Sequence, residues 1–249
     1  MKKPTQPFDK QLIIFIAGAT GAIGYKLCLI LKQKGYVVYG MTRSIEKAQF
    51  LEAIGIIPVI ADIFNDQQIK EIIEKIAPDV VIHQLTDLPY GLNPALMEQA
   101  RLNNARIRKL GTRHLLQALN NHQCRFIAQS IAFAYVPDQP FYDESSALDL
   151  NSSHPVLKLN AEGIYALEQQ VKESDVDAVI LRYGKLYGNA TGCLAAESCR
   201  IHVDAAAYAA YLAIENGQGI YQVVEDDLIY RNIKAKQELG FNPDDRFKL

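Results

Sequence analysis

The chain has 249 residues and a mass of 27.8 kDa, enough for one α/β domain with a full hydrophobic core or for one domain with a small appendage. Its 26 basic and 28 acidic side chains give a formal net charge of −2, which argues against binding to a nucleic-acid backbone or an anionic membrane surface. Glycines interrupt the uncharged stretch 11–25, which is shorter than the ~20 apolar residues of a membrane-spanning helix. We therefore expect a globular protein with no nucleic-acid or membrane partner.

The cysteine spacing bears on the cellular compartment. The chain has four cysteines and no Cys-x-x-Cys pair: Cys28, Cys124, Cys193 and Cys199. This favours free thiols in a reducing cytoplasm. A disulfide or a metal site formed by Cys193 and Cys199 is a less favoured alternative. We expect a cytoplasmic protein without a metal site.

Short β-branched runs alternate with helical patterns over the first 184 residues. The predicted strands are 12–17, 36–41, 56–60, 80–83, 124–129 and 178–182. The predicted helices between them are 22–34, 44–53, 65–76, 94–120 and 156–173. Strands and helices that alternate at this spacing form parallel βαβ units, and right-handed crossovers wind them into a doubly wound sheet. The pattern therefore predicts an α/β Rossmann fold.

The alternation weakens after residue 184. Beyond it we expect a helix over 203–215, a strand over 219–224 and a helix over 231–239 that ends at Gly240. About 65 residues are too few for an independent core. We therefore predict a dinucleotide-binding domain over 1–184 and a small C-terminal elaboration over 185–249, packed on the carboxyl edge of the sheet.

The strongest motif is the glycine-rich segment 18–24, Gly-Ala-Thr-Gly-Ala-Ile-Gly, between the first predicted strand and the first helix. Glycines allow a tight turn and a close approach to a pyrophosphate, and the helix start supplies free N–H groups and a positive dipole end. The surrounding βαβ frame is the context that such a motif requires. The predicted dinucleotide-binding residues here are Gly18, Thr20, Gly21, Ala22, Ile23 and Gly24.

The GxxGxxG spacing resembles the short-chain dehydrogenase/reductase superfamily, and in particular its extended branch, the NAD-dependent epimerase/dehydratase family. Later segments agree with that branch at 78–83, 111–116, 181–188 and 201–206. The resemblance implies a nicotinamide cofactor, a small carbonyl or sugar-like substrate, and a homodimer formed through the helices near 94–120 and 155–172. It also places Asp62 where the family contacts adenine. Asp62, the adjacent Ile63, and His83 on the expected path of the nicotinamide complete the predicted cofactor site.

The choice between NAD and NADP depends on the end of the second strand. An NAD site needs a carboxylate there to bind the ribose 2′-hydroxyl, and no acidic residue stands between Asp9 and Glu46. Arg43 takes that place, with Thr42 and Ser44 as hydroxyl donors, a set suited to a 2′-phosphate. We therefore predict NADP; NAD, with Arg43 a solvated charge, is the alternative.

The resemblance implies catalysis by a Ser or Thr hydroxyl, a Tyr, and a Lys four residues after that Tyr. Asn160 stands at the Tyr position and Ile164 at the Lys position, so the usual pair is missing. Ile131 occupies the expected hydroxyl position, and a serine precedes it. The remaining catalytic candidates are Ser130, Tyr135 and Tyr165.

Two classes of function stay open at this point. One is an oxidoreductase or epimerase acting on a small carbonyl or sugar-like substrate. The other is a catalytically inactive dinucleotide-binding sensor or scaffold, which the missing Tyr/Lys pair favours. Two candidates also have a structural alternative. Ser130 can be a simple turn or cap serine, and His83 can be a histidine whose ring is hydrogen-bonded by nearby backbone.

Overall fold

The computed structural model describes residues 11–119 and 122–247. The strands are β1 (Ile13–Ala17), β2 (Val37–Thr42), β3 (Ile57–Ile60), β4 (Val80–His83), β5 (Arg125–Ile131), β6 (Asp177–Tyr183), β7 (Lys185–Tyr187), β8 (Arg200–His202) and β9 (Gly219–Val223). The α-helices are α1 (Ala22–Gln33), α2 (Ile45–Ala53), α3 (Asp66–Ile76), α4 (Met97–Arg106), α5 (Thr112–Ala118), α6 (Pro155–Lys172) and α7 (Val203–Leu212).

Seven strands form one parallel sheet in the order β3-β2-β1-β4-β5-β6-β9. The strand order reverses between β1 and β4, which creates a crevice at the carboxyl ends of these two strands. This is the predicted doubly wound Rossmann fold. Such a crevice is where ligands bind in open α/β sheets.

The sheet is covered on both faces. Along β1, Ile14 and Ile16 pack into the layer with α1 and α7, whereas Phe15 packs into the layer with α3, α5 and α6. A strand with both faces covered needs an apolar residue at every position, which explains the continuous β-branched runs in the sequence.

The predicted helix 94–120 is not regular. One turn of π-helix, Ile107–Gly111, separates α4 from α5. A Cβ on Gly111 would lie 2.9 Å from the Ile63 side chain, so the missing side chain lets this helix approach the loop after β3. The π turn therefore lies beside the carboxyl edge of the sheet.

The chain beyond Gly184 contributes to the main sheet as well as to its edge. β9 pairs with β6, and α7 packs against α1 in one core layer. β7 and β8 form a separate two-stranded parallel sheet. The predicted elaboration on the carboxyl edge is therefore only part of this segment, because β9 and α7 complete the fold itself.

Within the described ranges, no helix is long and apolar enough to cross a membrane, and no three His, Cys, Asp or Glu side chains are grouped to hold a metal ion. The four cysteines are unpaired. The Cys193 thiol faces the Thr191 carbonyl, whereas the Cys199 thiol faces the Ala132 carbonyl, so the two are not paired with each other.

His83, the last residue of β4, is buried. Its Nδ1 accepts a hydrogen bond from the Leu85 N–H at 3.3 Å, so the neutral ring carries its proton on Nε2, which has no partner among the described residues. Burial, and secondly the positive charge of Arg108, lower the His83 pKa from 6.5 to about 4. The folded protein therefore holds His83 neutral.

This histidine makes the free energy of unfolding depend on pH. Between about pH 4 and pH 6.5 the unfolded chain binds a proton on His83 and the folded chain does not. The contribution of neutral His83 to the free energy of unfolding is therefore complete above this window and is lost as the pH falls through it. At pH 5 the loss amounts to about 2 kcal/mol. We expect His83→Asn, whose amide oxygen can replace Nδ1, to remove this component. Urea unfolding at pH 7.5 and pH 5 measures it, and an equal pH dependence in both proteins would contradict it.

Candidate functional site

A cleft of about 1160 Å³ runs along the carboxyl edge of the sheet. Its floor is made by the ends of β1, β2, β4, β5 and β6, and segments 85–96 and 190–196 border its outer side. The two outer segments are joined where the Gly91 N–H donates to the Thr191 carbonyl at 3.0 Å. The crevice at the reversal of strand order lies inside this cleft.

The β1–α1 turn has the close backbone approach and the free N–H groups that a pyrophosphate cradle requires. Gly18 has a φ of +95°, and a Cβ there would lie 2.7 Å from the Gln84 carbonyl. A Cβ on Gly24 would lie 2.1 Å from the Gly18 oxygen, so helix and turn touch. Gly21 has ordinary extended backbone and borders the cleft. No side chain caps α1 and no acid lies in its first turn, which leaves its N–H groups available to an anion.

Most of the predicted cofactor residues line this cleft. They are Gly18, Thr20, Gly21, Ala22, Ile23, Thr42, Arg43 and Ile63.

Three predicted cofactor residues do not line it. Gly24 serves the packing of the turn. The Asp62 carboxylate accepts from the Phe64 N–H at 3.0 Å and closes a local turn at the start of its loop. His83 is buried and does not line the cleft, and its Nε2 is shielded from solvent. We therefore assign structural roles to these residues.

The end of β2 carries two cations. Arg43 is 62% exposed and forms an ion pair with Asp87 across the cleft at 3.1 Å. Lys47, in the first turn of α2, also lines the cleft. Ser44 caps α2 by accepting from the Lys47 N–H, and its hydroxyl donates to Glu46, so it is not free to bind a ligand. Arg43 and Lys47 are the groups that can meet a phosphate here.

The Ser130 hydroxyl lies outside the cleft. It donates to Glu168 at 2.8 Å, and Arg182 binds the same carboxylate through two nitrogens at 2.8 and 2.7 Å. Alternation along β5 turns Gln129 and Ile131 toward the cleft and Ser130 away from it. We assign Ser130 to this buried ionic network rather than to catalysis.

Tyr135 belongs to the same network. Its oxygen accepts from Arg182 at 3.3 Å, and its hydroxyl donates to Gln222. Burial raises the Tyr135 pKa, which opposes release of its proton. Tyr165 lies on the outer face of α6 and is 44% exposed. Neither phenol lines the cleft, so none of the three predicted catalytic groups reaches it.

Helix α6, which carries the positions aligned with the Tyr and Lys of the family, also lies away from the cleft. No residue of α6 lines the cleft, and Ile164 is fully buried. A lysine at position 164 would therefore bury an ammonium group, which costs free energy unless it is paired.

The cleft contains polar groups that sequence reasoning did not assign to it. Gln84 donates to the Tyr183 hydroxyl at 3.2 Å, and both side chains line the cleft. Burial raises the Tyr183 pKa, so this phenol stays protonated. Lys47, Arg108 and Lys185 are cations that also line it. Lys47 follows the predicted cap Ser44 by three residues, which is a sequence signal, whereas nothing in the pattern singled out Arg108 among its neighbouring arginines.

Comparison with known proteins agrees with this architecture. The NAD-dependent epimerase/dehydratase family model matches residues 14–223. A curated relative from a Streptomyces species, named a 3-diazoavenalumate denitrifying reductase, is 31% identical over 237 aligned positions, covering 86% of this chain and 76% of the relative.

Solved structures share the fold at lower identity. UDP-glucose 4-epimerase from Thermotoga maritima, with UDP-glucose, superposes with a TM-score of 0.70 at 17% identity and covers 94% of both chains. The Thermus thermophilus UDP-glucose 4-epimerase, in complex with NAD, gives 0.67 at 18% identity and covers 95% of both. With the glycine cradle, the parallel sheet and a family match over most of its length, the chain belongs to the NAD-dependent epimerase/dehydratase family.

Proposed function

We propose that this protein is an NADPH-dependent reductase whose small electrophilic acceptor takes a hydride without a proton from a Tyr/Lys pair. The observation that carries the proposal is the combination of an intact dinucleotide cradle with a cleft that Ser130, Tyr135 and Tyr165 do not reach. A reduced nicotinamide, when bound, supplies the hydride. The protein supplies the cradle, the orientation of the acceptor, and a largely apolar wall that excludes water.

The choice of NADPH is supported by charge at the end of β2. Arg43 and Lys47 both line the cleft there, and Thr42 lies at its floor. Among the described residues, the one carboxylate that lines the cleft is Asp87, already paired with Arg43 at 3.1 Å. A 2′-phosphate offers Arg43 a stronger, doubly charged partner than this exposed ion pair.

Exchange of these charges tests the cofactor. Arg43→Ala should weaken NADPH binding by about tenfold to a hundredfold, the equivalent of one charge-assisted phosphate contact, and change NADH binding far less. Asp87→Asn should free Arg43 and tighten NADPH binding by up to about fivefold. Titration of cofactor fluorescence measures both, with Arg101→Ala, a cation outside the cleft, as control. If Arg43→Ala changed the affinities for NADPH and NADH equally, Arg43 would not contact the 2′-phosphate and would be only a solvated surface charge.

The kind of hydride acceptor is inferred from the missing Tyr/Lys proton donor. Reduction of a carbonyl leaves an alkoxide that needs a proton, and Tyr183, the buried phenol that lines the cleft, has a raised pKa and accepts its hydrogen bond from an amide rather than from a cation. An aromatic diazonium does not need this proton. Its ring carbon gains the hydride, the C–N bond breaks, and N₂ leaves with that bond's electron pair. The name of the Streptomyces relative describes a reductase that acts on a diazo compound.

A labelled cofactor tests this reaction. With NADPH deuterated at the transferring position, 4-carboxybenzenediazonium should give benzoate that carries the deuterium, at similar rates in H₂O and D₂O. Gly21→Val should abolish turnover, because its Cβ fits beside Gly18 at 3.4 Å while the methyl groups enter the cradle. Tyr165→Phe should retain it.

Other outcomes distinguish the alternatives. If a panel of carbonyl compounds is turned over faster than the diazonium, with a solvent isotope effect, the cleft contains a proton donor. That result would overturn the proposal of a diazonium acceptor. NADPH binding without any turnover would favour an inactive sensor or scaffold.

A homodimer through α4 and α6 is proposed from their exposed apolar residues. The two helices pack together, and Leu102 on α4 and Leu157 on α6 are 50% and 51% exposed. Apolar side chains left open on adjacent helices favour association. We keep a cytoplasmic location as a prediction, which the four unpaired cysteines support.

Sedimentation velocity tests the dimer. Leu157→Glu should convert a dimer to a monomer, since it puts a carboxylate into the apolar interface. The matched control is Leu228→Glu, an exposed leucine outside both helices, which should leave the dimer intact. A monomeric wild-type protein would contradict the proposal.

A further inference from the structure

The charges that line the cleft are unequal in number. Four are basic, and Asp87 is the only acidic one among the described residues. The basic residues are Arg43, Lys47, Arg108 and Lys185. Arg43 and Lys47 stand at the end of β2, on the adenosine side of the crevice. This leaves Arg108 and Lys185 on the side of β4 and β6, where the reacting end of the cleft lies.

The Arg108 side chain is held in place by packing. It leaves the π turn between α4 and α5 and passes α6 at Gly163, where a Cβ would stand 3.5 Å from Arg108 Cδ. The same Cβ would stand 3.3 Å from the Ala105 backbone. Glycine in a helix interior costs about 1 kcal/mol relative to alanine. Here it opens the space that the arginine stem uses on its way to the cleft.

The guanidinium of Arg108 lacks a hydrogen-bonding or ionic partner in the described part of the chain. It forms no hydrogen bond or ion pair with any residue of segments 11–119 and 122–247. Arg182, which is buried beside the sheet, is by contrast neutralised by Glu168. Burial lowers the Arg108 pKa to about 10, so the group remains charged at neutral pH. An unpaired cation in a partly desolvated position is costly unless a ligand compensates it.

The surroundings of this cation define the ligand further. The wall of the cleft on this side is mainly apolar, from Leu85, Ile107, Ile131 and Phe133, with the amides of Gln84 and Gln129 between them. The Gln84 Oε1 is buried and has no hydrogen-bond partner among the residues that the structure describes. A planar apolar body with one anionic end fits this arrangement, because an arginine fork binds a carboxylate through two parallel hydrogen bonds.

We propose that Arg108 binds the carboxylate of the substrate and so restricts this protein to small aromatic or unsaturated acids. The proposal rests on the proposed function, since it names the acceptor class of the same cleft. A neutral acceptor would leave the half-buried guanidinium unpaired, which makes Arg108 a selectivity residue as well as a binding residue.

The test compares cinnamate with its neutral amide, cinnamamide, by calorimetry on the complex with NADP⁺ and on the free protein. The wild type should prefer cinnamate by about tenfold or more. Arg108→Met, similar in length but uncharged, should lower cinnamate affinity by about tenfold to a hundredfold and leave cinnamamide unchanged. Arg108→Lys should retain part of the preference. Lys109→Met removes the same charge from the exposed side of the turn and should behave as the wild type.

Three outcomes would overturn the proposal. These are a wild-type protein without the preference, an Arg108→Met variant that keeps it, and an Arg108→Met variant whose affinity for NADP⁺ falls by the same factor, which would assign Arg108 to the cofactor. The titration without NADP⁺ separates the two proposals. A preference for cinnamate there, in a protein that does not bind NADP⁺, would refute the reductase and keep the carboxylate site.

Discussion

The close approach of three backbone segments at the β1–α1 turn is the constraint on which the rest of the structure depends. Gly18 lies against the backbone of Gln84 after β4, and Gly24 brings α1 down onto Gly18, at distances that exclude any Cβ. This contact fixes the start of α1 at the point where the strand order reverses. The helix N–H groups, the positive end of its dipole and the crevice therefore coincide, which is the requirement for a pyrophosphate site.

A second constraint is the buried ion pair between Arg182 and Glu168, which links β6 to α6. Glu168 uses one oxygen for Ser130 as well, and Arg182 also binds Tyr135. Groups engaged in a buried network are held by their partners, and removal of one partner leaves an uncompensated charge. The network thus stabilises the junction of sheet and helix, and it takes from the cleft the hydroxyl and the phenol that the sequence favoured for catalysis.

The cleft that results is electrostatically divided. Arg43 and Lys47 give one end a positive potential suited to a phosphate, and Arg108 gives the other end a fixed cation among apolar side chains. The glycine cradle lies between them. A ligand pair with an anionic group at each outer end would match this distribution, whereas a neutral acceptor would not compensate Arg108.

The sequence by itself determined the order of strands and helices, the Rossmann fold, and the glycine turn, because apolar periodicity and the glycine spacing are local properties of the chain. It also predicted Arg43 as a cofactor-binding residue, since the lack of an acidic residue at the end of β2 can be read directly. Only the tertiary structure decided which side chains enter the cleft. Asp62 is taken up by its own turn, Ser130 faces away because β5 alternates, and Arg108 reaches the cleft because a π turn and a glycine on another helix make room for it. The Ser130–Glu168 bond and the path of Arg108 past Gly163 depend on contacts between segments far apart in the chain, which no local pattern specifies.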